Sequence, residues 1–279
     1  MSQVAIITDS TADFPAGVVE EFGIKIVSLT VRFGPEEFLD KVGLTASEFY
    51  KKLKISPHFP QTTQPSSEVF SKVYQEVAEK TKEILSIHLT GRLSGTFSNA
   101  LSSAKRLMDN LPSFKIRVLD SKTSSLSLGF LVMEAAAMAK GGETLDTIET
   151  KINQLIPKLR LFAMLDTLEF LKRGGRIGKA KALLGALLNF KPIIKLQDGE
   201  VVPVTRARGK GIAILIEKFL AEGKMAKVGV AHAAAPEQAL RLREMLQNYF
   251  AGDIPVAELG PVLGTHGGPG TIGICGVLK

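Results

Sequence analysis

The stretch ILSIHLTGRLSGTFS, residues 84–98, contains a strand, a turn and the start of a helix. Residues 84–89 form a short apolar run, which predicts a buried strand. Small residues then make a turn, and a helix is predicted over residues 98–110. The run at residues 4–8 is equally apolar and is typical of a strand buried on both faces of a parallel sheet. Such alternation predicts a mostly parallel sheet with helices on both faces.

The alternation continues on both sides of this stretch and restarts near Pro157. Before Pro157, strands are predicted at 4–8, 24–31, 84–89 and 115–120, and helices at 14–22, 46–53, 66–80, 98–110, 128–140 and 144–155. After it, strands are predicted at 160–165, 192–195, 201–205, 226–231, 255–259 and 271–277, and helices at 167–172, 177–188, 210–221 and 236–250. The fold class is therefore α/β, with one α/β domain at residues 1–157 and a second at 158–279.

The composition is that of an ordinary globular protein, with 279 residues, 45% hydrophobic and 23% charged. A net charge of +7 is compatible with nucleic acid, a membrane surface or an anionic ligand as the partner. The basic residues are scattered, and the one dense basic stretch, residues 172–181, is broken by glycines. No nucleic-acid-binding motif accompanies the charge, so we expect no nucleic-acid partner.

Cysteine content and apolar runs indicate the compartment. Cys275 is the only cysteine, which excludes an intramolecular disulfide and a thiolate zinc site. That is typical of a reducing compartment. The chain starts without the basic and apolar regions of a signal peptide, and no apolar run approaches the roughly 20 residues that cross a bilayer. We expect a cytoplasmic protein without stable membrane insertion.

Three segments rich in hydroxyl groups, residues 9–11, 62–66 and 91–96, occur at one expected edge of the sheet. Two of them precede predicted helices. A helix start presents free N–H groups and a partial positive charge, which favour a carboxylate or a phosphate. Ser94 and Thr96 could add hydroxyl donors. Ordinary helix capping explains the same residues, and both interpretations stay open.

A glycine-rich segment, residues 264–270, surrounds the best candidate for a functional histidine, His266. The segment predicts either a turn that binds an anion through its backbone or a plain reverse turn between strands. Three further histidines are expected to be structural: His58, His88 and His232. Ser94, His266 and Asp9 together would suggest a hydrolase triad, but Ser94 is not part of a G-x-S-x-G elbow.

Five segments, in order along nearly the whole chain, resemble the signature sequences of one family. They are ITDSTAD (7–13), TTQPS (62–66), LSGT (93–96), LEFLKRGGRI (168–177) and GTHGGPG (264–270). On these residues the chain resembles the DegV family, whose better-understood members are lipid-binding subunits of bacterial fatty-acid kinase. Thr63 stands where many members carry serine, and both side chains have a hydroxyl group.

The resemblance implies two α/β domains with a cleft or tunnel between them that holds one long-chain fatty acid, such as palmitate. It implies a bacterial carrier with no catalytic residues, no metal and no other cofactor. A separate ATP-dependent kinase subunit would phosphorylate the carboxylate to an acyl phosphate. The implied carboxylate-binding residues are Thr62, Thr63, Ser94, Gly95, Thr96 and His266. A basic rim toward the head group and the partner is expected from Arg173, Arg176, Arg206 and Arg208, of which Arg206 aligns with family positions implicated in work with the kinase.

Two other classes of function remain open from the residues. An acyl hydrolase or transferase would use Ser94 and His266. A nucleic-acid or regulatory binding protein would rest on the net charge alone. The apolar segments 128–139 and 177–190 fit either a tunnel wall or an ordinary core.

Overall fold

The computed structural model describes residues 4–185 and 190–279. Its strands are β1 (Ala5–Asp9), β2 (Lys25–Val27), β3 (Thr30–Phe33), β4 (Glu36–Leu39), β5 (Gln61–Thr63), β6 (Glu83–His88), β7 (Lys115–Asp120), β8 (Leu159–Met164), β9 (Lys191–Gln197), β10 (Glu200–Ala207), β11 (Met225–His232), β12 (Val256–Glu258) and β13 (Ile272–Leu278). Its helices are α1 (Val18–Phe22), α2 (Ala46–Ile55), α3 (Ser67–Ala78), α4 (Thr96–Asn110), α5 (Ser125–Lys140), α6 (Leu145–Leu155), α7 (Glu169–Arg173), α8 (Gly211–Leu220), α9 (Pro236–Leu246) and α10 (Pro261–Gly267).

The first sheet is wholly parallel, in the order β2-β1-β6-β7. Helices α3 and α4 cover one face, and α1, α5 and α6 cover the other. The two central strands, β1 and β6, are almost completely buried, which explains why they are continuous apolar runs in the sequence. The predicted α/β fold class is confirmed.

The second sheet has six strands in the order β10-β9-β8-β13-β11-β12. Only β11 and β12 pair in parallel among the described strands of this sheet, and the other neighbours are antiparallel. Helices α8 and α9 pack on one face, with Phe162 and Met164 of β8. Because side chains alternate along a strand, Leu161 and Ala163 lie on the opposite face, toward the N-terminal part of the chain.

Helix α5 lies between the two sheets and contacts β1 and β6 on one side and β8, β11 and β13 on the other. Its side chains are buried nearly all round, which accounts for its lack of a polar face. Gly129 is required where this helix meets the loop after β1, since a Cβ atom there would overlap the carbonyl oxygen of Asp13.

A third, antiparallel sheet has the order β4-β3-β5. With α2 it packs onto the C-terminal part of the chain, where Val31, Phe33 and Phe49 share a cluster with Ala233 and Leu259. The N-terminal part therefore reaches across to the second sheet. The division of the chain at residue 157, which lies in a 3-10 turn between α6 and β8, stays a prediction.

Several predicted elements were wrong in their bounds or type. The strand predicted at 24–31 is divided between β2 and β3, which belong to different sheets. The helix predicted at 14–22 begins only after Gly17, whose φ of 82° is outside the helical range. The helix predicted at 177–188 is a 3-10 turn over Gly178–Leu183, and its residues 186–188 lie outside the described residues. Gly178 has a φ of 49°, which an α-helix does not use.

The glycine-rich segment around His266 is helical rather than a simple turn between strands. Pro261 occupies the first turn of α10, where its missing N–H group costs nothing. Gly268 follows the helix with a φ of 77°, which favours glycine. His266 is therefore held on a helix. In residues 4–185 and 190–279, we find no helix long and apolar enough to cross a membrane.

Candidate functional site

A cavity lies between the six-stranded sheet and the N-terminal part of the chain, and residues from both line it. Leu161 and Ala163 of β8 form part of its floor, together with Leu165 just after the strand. The strand register places Ile194 of β9 and Gly273 of β13 on either side of Ala163. This floor is apolar and suits an apolar ligand.

Polar side chains from distant parts of the chain meet in the cavity lining. The Oγ1 atom of Thr62 lies 2.9 Å from Nε2 of His266. The Nε atom of Arg176 donates to the carbonyl oxygen of Leu93 at 3.1 Å, next to Ser94 in the chain. Thr62, Ser94, Arg176 and His266 all line the cavity. Residues far apart in sequence therefore form one polar group at the edge of an apolar space.

Strand geometry separates Thr62 from Thr63. In β5, Thr62 pairs with Val31 of β3 and is half-buried against His266. The side chain of the next residue in a strand points to the opposite face. Thr63 is accordingly exposed and does not line the cavity. Of the two neighbouring hydroxyl groups in the sequence, only that of Thr62 is directed to the site.

The turn before α4 combines the two roles that the sequence left open. The Oγ atom of Ser94 accepts a hydrogen bond from the backbone N–H of Thr96 at 3.3 Å and lies 2.9 Å from Oγ1 of Thr96. Ser94 thus helps to satisfy the start of α4 and also lines the cavity. Thr96 is fully buried, and neither it nor Gly95 is part of the lining. A Cβ atom at Gly95 would come within 2.9 Å of Nε2 at the end of the Gln64 side chain, which would have to shift.

His266 is held as a neutral imidazole. Burial, reinforced by the positive charge of Arg176, lowers its pKa to about 4. Its Nδ1 atom has no hydrogen-bond partner among the described residues. Gly174 packs against this side of the ring, where a Cβ atom would overlap Nδ1. A neutral imidazole can donate one N–H group to a ligand oxygen without a charge of its own.

Arg176 was expected from the sequence only as part of a basic rim, and the structure places it in the cavity lining. Its Nη1 atom donates to the carbonyl oxygen of Gly174 at 2.7 Å, which with the bond to Leu93 fixes the guanidinium group. Among the described residues, it is the only lysine or arginine that lines the cavity. Arg176 belongs to the distinctive run at residues 168–177, so the sequence marked it as a candidate. The direction of its side chain could not be predicted from that run.

The hydrolase triad is not assembled. Oδ2 of Asp9 lies 3.0 Å from Nδ1 of His88, and Nε2 of His88 lies 2.7 Å from the Oγ atom of Ser86. These three side chains are fully buried beside the first sheet. His266 forms a hydrogen bond with Thr62 instead of an aspartate, and Ser94 forms one with Thr96. His88 has the structural position that the sequence indicated.

The other three predicted rim arginines lie outside the cavity lining. The guanidinium group of Arg173 lies 3.8 Å from the ring centroid of Phe59. Arg206 donates from Nη2 to the carbonyl oxygen of Leu183 at 3.1 Å. Arg208 is exposed. Across the two described ranges, no group of three or more acidic, histidine or cysteine side chains is arranged to hold a metal ion.

A buried carboxylate, that of Asp40, holds the start of the helix that carries His266. Its Oδ1 atom accepts a hydrogen bond from the backbone N–H of Val262 at 3.2 Å. Its Oδ2 atom has no hydrogen-bond partner within the described part of the chain. Burial raises the pKa of Asp40 to about 6, with Lys41 opposing the shift. The ionised form of Asp40 is therefore less favourable in the folded protein than in the unfolded chain.

We expect Asp40→Asn to stabilise the protein above pH 6. A carboxyl group whose folded pKa is raised stabilises the fold while it is protonated, and that contribution is lost as the pH rises through 6. A shift from 3.8 to about 6 is equivalent to at most about 3 kcal/mol in the free energy of unfolding. Urea unfolding at pH 4 and pH 8 measures it: the gain should be larger at pH 8. The exposed Asp109→Asn is the control, and an equal gain at both pH values would contradict the expectation.

Comparison with known proteins identifies the family. The model described as "Uncharacterised protein, DegV family" matches residues 3–279. A DegV domain-containing protein of Clostridium acetobutylicum is 34% identical over 276 residues, covering 97% of this chain and 96% of that protein. A structure of a DegV family protein from Thermus thermophilus, described by its fatty-acid binding, has 32% identity and a TM-score of 0.90, with 99% of this chain and all of that one covered. DegV of Bacillus subtilis, described as a fatty acid binding protein, has 30% identity and a TM-score of 0.88 over the full length of both chains. The chain belongs to the DegV family.

Proposed function

We propose that this chain is a cytoplasmic carrier that holds one long-chain fatty acid in the cavity between its two domains. The observation that carries the proposal is the distribution of polarity, because an apolar floor ends at a group of hydroxyl, imidazole and guanidinium groups. A fatty acid has the same distribution, with one polar head on a long apolar tail. The fatty-acid binding of the relatives from Thermus thermophilus and Bacillus subtilis supports it.

The tail provides most of the binding free energy. Burial of about fifteen methylene groups contributes roughly 0.8 kcal/mol each, or on the order of 12 kcal/mol before the entropy of association is subtracted. The apolar face of β8, β9 and β13 provides the surface for this burial. The small residues Ala163 and Gly273 leave room above the middle of the floor.

The carboxylate requires polar partners because an unpaired buried charge is very unfavourable. Thr62 and Ser94 can donate hydroxyl hydrogens, and neutral His266 can donate a ring N–H group. Arg176 adds a positive charge at the same end. Of the six carboxylate-binding residues predicted from the sequence, we retain Thr62, Ser94 and His266 in the proposed site. Thr63 is directed elsewhere, and Gly95 and Thr96 shape the turn that positions Ser94.

We further propose that the chain is not itself a catalyst and presents the carboxylate to a separate ATP-dependent kinase subunit. The separation of Asp9 from His266 gives a hydrolase mechanism no support. The arginines outside the cavity, Arg173, Arg206 and Arg208, would attract an acidic protein surface or the phosphates of ATP.

Extraction tests the ligand. The protein is purified without detergent and denatured, and its organic extract is analysed by mass spectrometry. We expect near-equimolar fatty acid. If the extract is empty and the delipidated protein also takes up neither palmitate nor oleate, the carrier function is refuted.

We expect Arg206→Ala to leave fatty-acid binding unchanged and to slow acyl-phosphate formation by the kinase subunit of the same organism. Arg206 does not line the cavity, so its loss removes a partner contact and leaves the ligand contacts intact. Arg241→Ala, on the far side of the second sheet, is the matched control. Equal turnover with both variants and the wild type would refute the role of Arg206.

A further inference from the structure

We infer that Thr90, held by the tip of the β9–β10 hairpin, is a positioning residue that places the Ser94 hydroxyl group for the fatty-acid carboxylate. The inference rests on the proposed fatty-acid binding and deepens it. Thr90 follows β6, and Gly199 lies at the tip of the hairpin. Neither of them lines the cavity, so any effect on the ligand must pass through another residue.

Thr90 organises the turn that leads to Ser94. Its carbonyl oxygen accepts a hydrogen bond from the backbone N–H of Leu93 at 3.1 Å. Its Oγ1 atom accepts another from the backbone N–H of Arg92 at 3.2 Å. Ser94 follows Leu93 directly, so the position of its hydroxyl group depends on this turn.

The hairpin provides the acceptor for the hydroxyl hydrogen of Thr90. The Thr90 side chain is completely buried, and a buried hydroxyl group is nearly always hydrogen-bonded. Its Oγ1 atom donates to the carbonyl oxygen of Gly199, 109 residues away in the chain, at 3.2 Å. Gly199 is buried, although its hairpin neighbours Gln197 and Asp198 are exposed. The tip of this hairpin is therefore packed against the Thr90 turn.

Glycine is required at position 199 for two separate reasons. Asp198 and Gly199 have φ angles of 51° and 81°, the positive values that a two-residue hairpin turn needs. A Cβ atom on Gly199 would also overlap Oγ1 of Thr90. The first reason concerns the hairpin alone, whereas the second concerns its contact with the turn. A side chain at this position would push the two segments apart.

Leu93 is fixed from the same part of the chain. Its carbonyl oxygen accepts the hydrogen bond from Nε of Arg176 at 3.1 Å, and its side chain packs against a buried cluster that includes Val201 of β10. Residues of the C-terminal part thus hold both ends of the turn before Ser94. Arg176 and His266 belong to that same part. The hairpin contact therefore helps to set the place of the Ser94 hydroxyl group relative to the other polar groups of the site.

Substitutions at Thr90 test the role of its hydroxyl group. We expect Thr90→Val to weaken palmitate binding by about three- to tenfold, the factor that corresponds to one neutral hydrogen bond. Thr90→Ser keeps the hydroxyl group and should bind like the wild type. Displacement of a fluorescent fatty acid by palmitate measures the affinity of each delipidated protein.

Gly199→Ala tests the contact from its other side and should also weaken binding. Gly142→Ala is the matched control, because Gly142 has a φ of 85° and a Cβ atom there would meet no atom within 4 Å. It introduces the same kind of backbone strain without a contact and should leave affinity unchanged.

A double-mutant cycle distinguishes positioning from a general loss of structure. In a Ser94→Ala background, Thr90→Val should lower affinity by less than about twofold, because the effects of residues that act through one another are not additive. A general loss of structure would lower affinity by the same factor in both backgrounds.

The outcomes separate the two claims. If the wild-type protein does not bind palmitate, the carrier function itself is refuted. If it binds, wild-type affinity in both Thr90→Val and Gly199→Ala refutes the positioning role, as does an equal effect of Thr90→Val with and without Ser94. The two variants change opposite sides of one contact, so unfolding of one leaves the other as a test.

Discussion

Ser94→Ala is expected to weaken fatty-acid binding by about ten- to a hundredfold. A hydrogen bond to a charged group contributes about 1.5–3 kcal/mol, and 1.4 kcal/mol corresponds to a factor of ten in affinity. Thr62→Val should have an effect of similar size, because it removes the hydroxyl group on the other side of the same polar end and keeps the shape of the side chain. Displacement of a fluorescent fatty acid measures both.

Thr63→Val is the matched control for these variants. It makes the same chemical change one residue further along β5, where the side chain is exposed and does not line the cavity. Ser94 also accepts a hydrogen bond from Thr96 N at the start of α4, so its loss should lower stability by about 1 kcal/mol. Thr62 has no such capping role, which separates binding from folding. Wild-type affinity in both Ser94→Ala and Thr62→Val would remove these hydroxyl groups from the proposed site.

Asp9→Ala is expected to lower the free energy of unfolding by about 3–5 kcal/mol, because it leaves several buried hydrogen-bond donors without an acceptor, at about 1–3 kcal/mol each. Oδ1 of Asp9 accepts hydrogen bonds from the backbone N–H and the hydroxyl group of Thr11, at 3.0 Å and 2.6 Å. Oδ2 accepts from Leu89 N at 2.9 Å and contacts His88. The carboxylate thus joins the ends of β1 and β6, and its removal leaves buried donors without acceptors.

The pH dependence identifies the carboxylate as the cause. Burial alone would raise the pKa of Asp9, but His88 and the hydrogen bonds from Thr11 and Leu89 outweigh burial and hold it below 3.8. A group with a lowered folded pKa stabilises the fold above its unfolded pKa, and this contribution is lost as the pH falls through the folded pKa. Urea unfolding should show a large difference between wild type and Asp9→Ala at pH 7 that shrinks below about pH 3.8.

The exposed Asp253→Ala is the control for this variant, since it removes a carboxylate from the surface of the same protein. It should change stability by less than about 0.5 kcal/mol. A small effect of Asp9→Ala at pH 7, or one that grows as the pH falls, would show that the buried network does not hold the first sheet together.

Prediction from the sequence was most successful for the first sheet. Strands buried on both faces are short apolar runs, and β1, β6 and β7 were predicted within about one residue at each end. It was weakest between Gly17 and Thr63. There the segment predicted as one strand at 24–31 forms β2 of the first sheet and β3 of the third sheet. No local sequence pattern marks the point at which the chain passes from one sheet to the other. The helix around His266, which begins at Pro261, was not predicted because the four glycines of residues 264–270 are more typical of a turn than of a helix.

Local residue patterns were sufficient to predict the α/β class and the hydroxyl-rich turn before α4, because strand burial and helix starts depend on neighbours in the chain. They also indicated His266 and Ser94 as candidates. Which of the candidate residues share a site depends on the tertiary structure. Thr62 faces His266 and Thr63 does not, since one residue in a strand reverses the face. Asp9 joins His88 in a core network, and Arg176 enters the cavity. Only the register of β8 and β9, set by pairing between strands, places Leu161 beside Leu196 in the cavity lining.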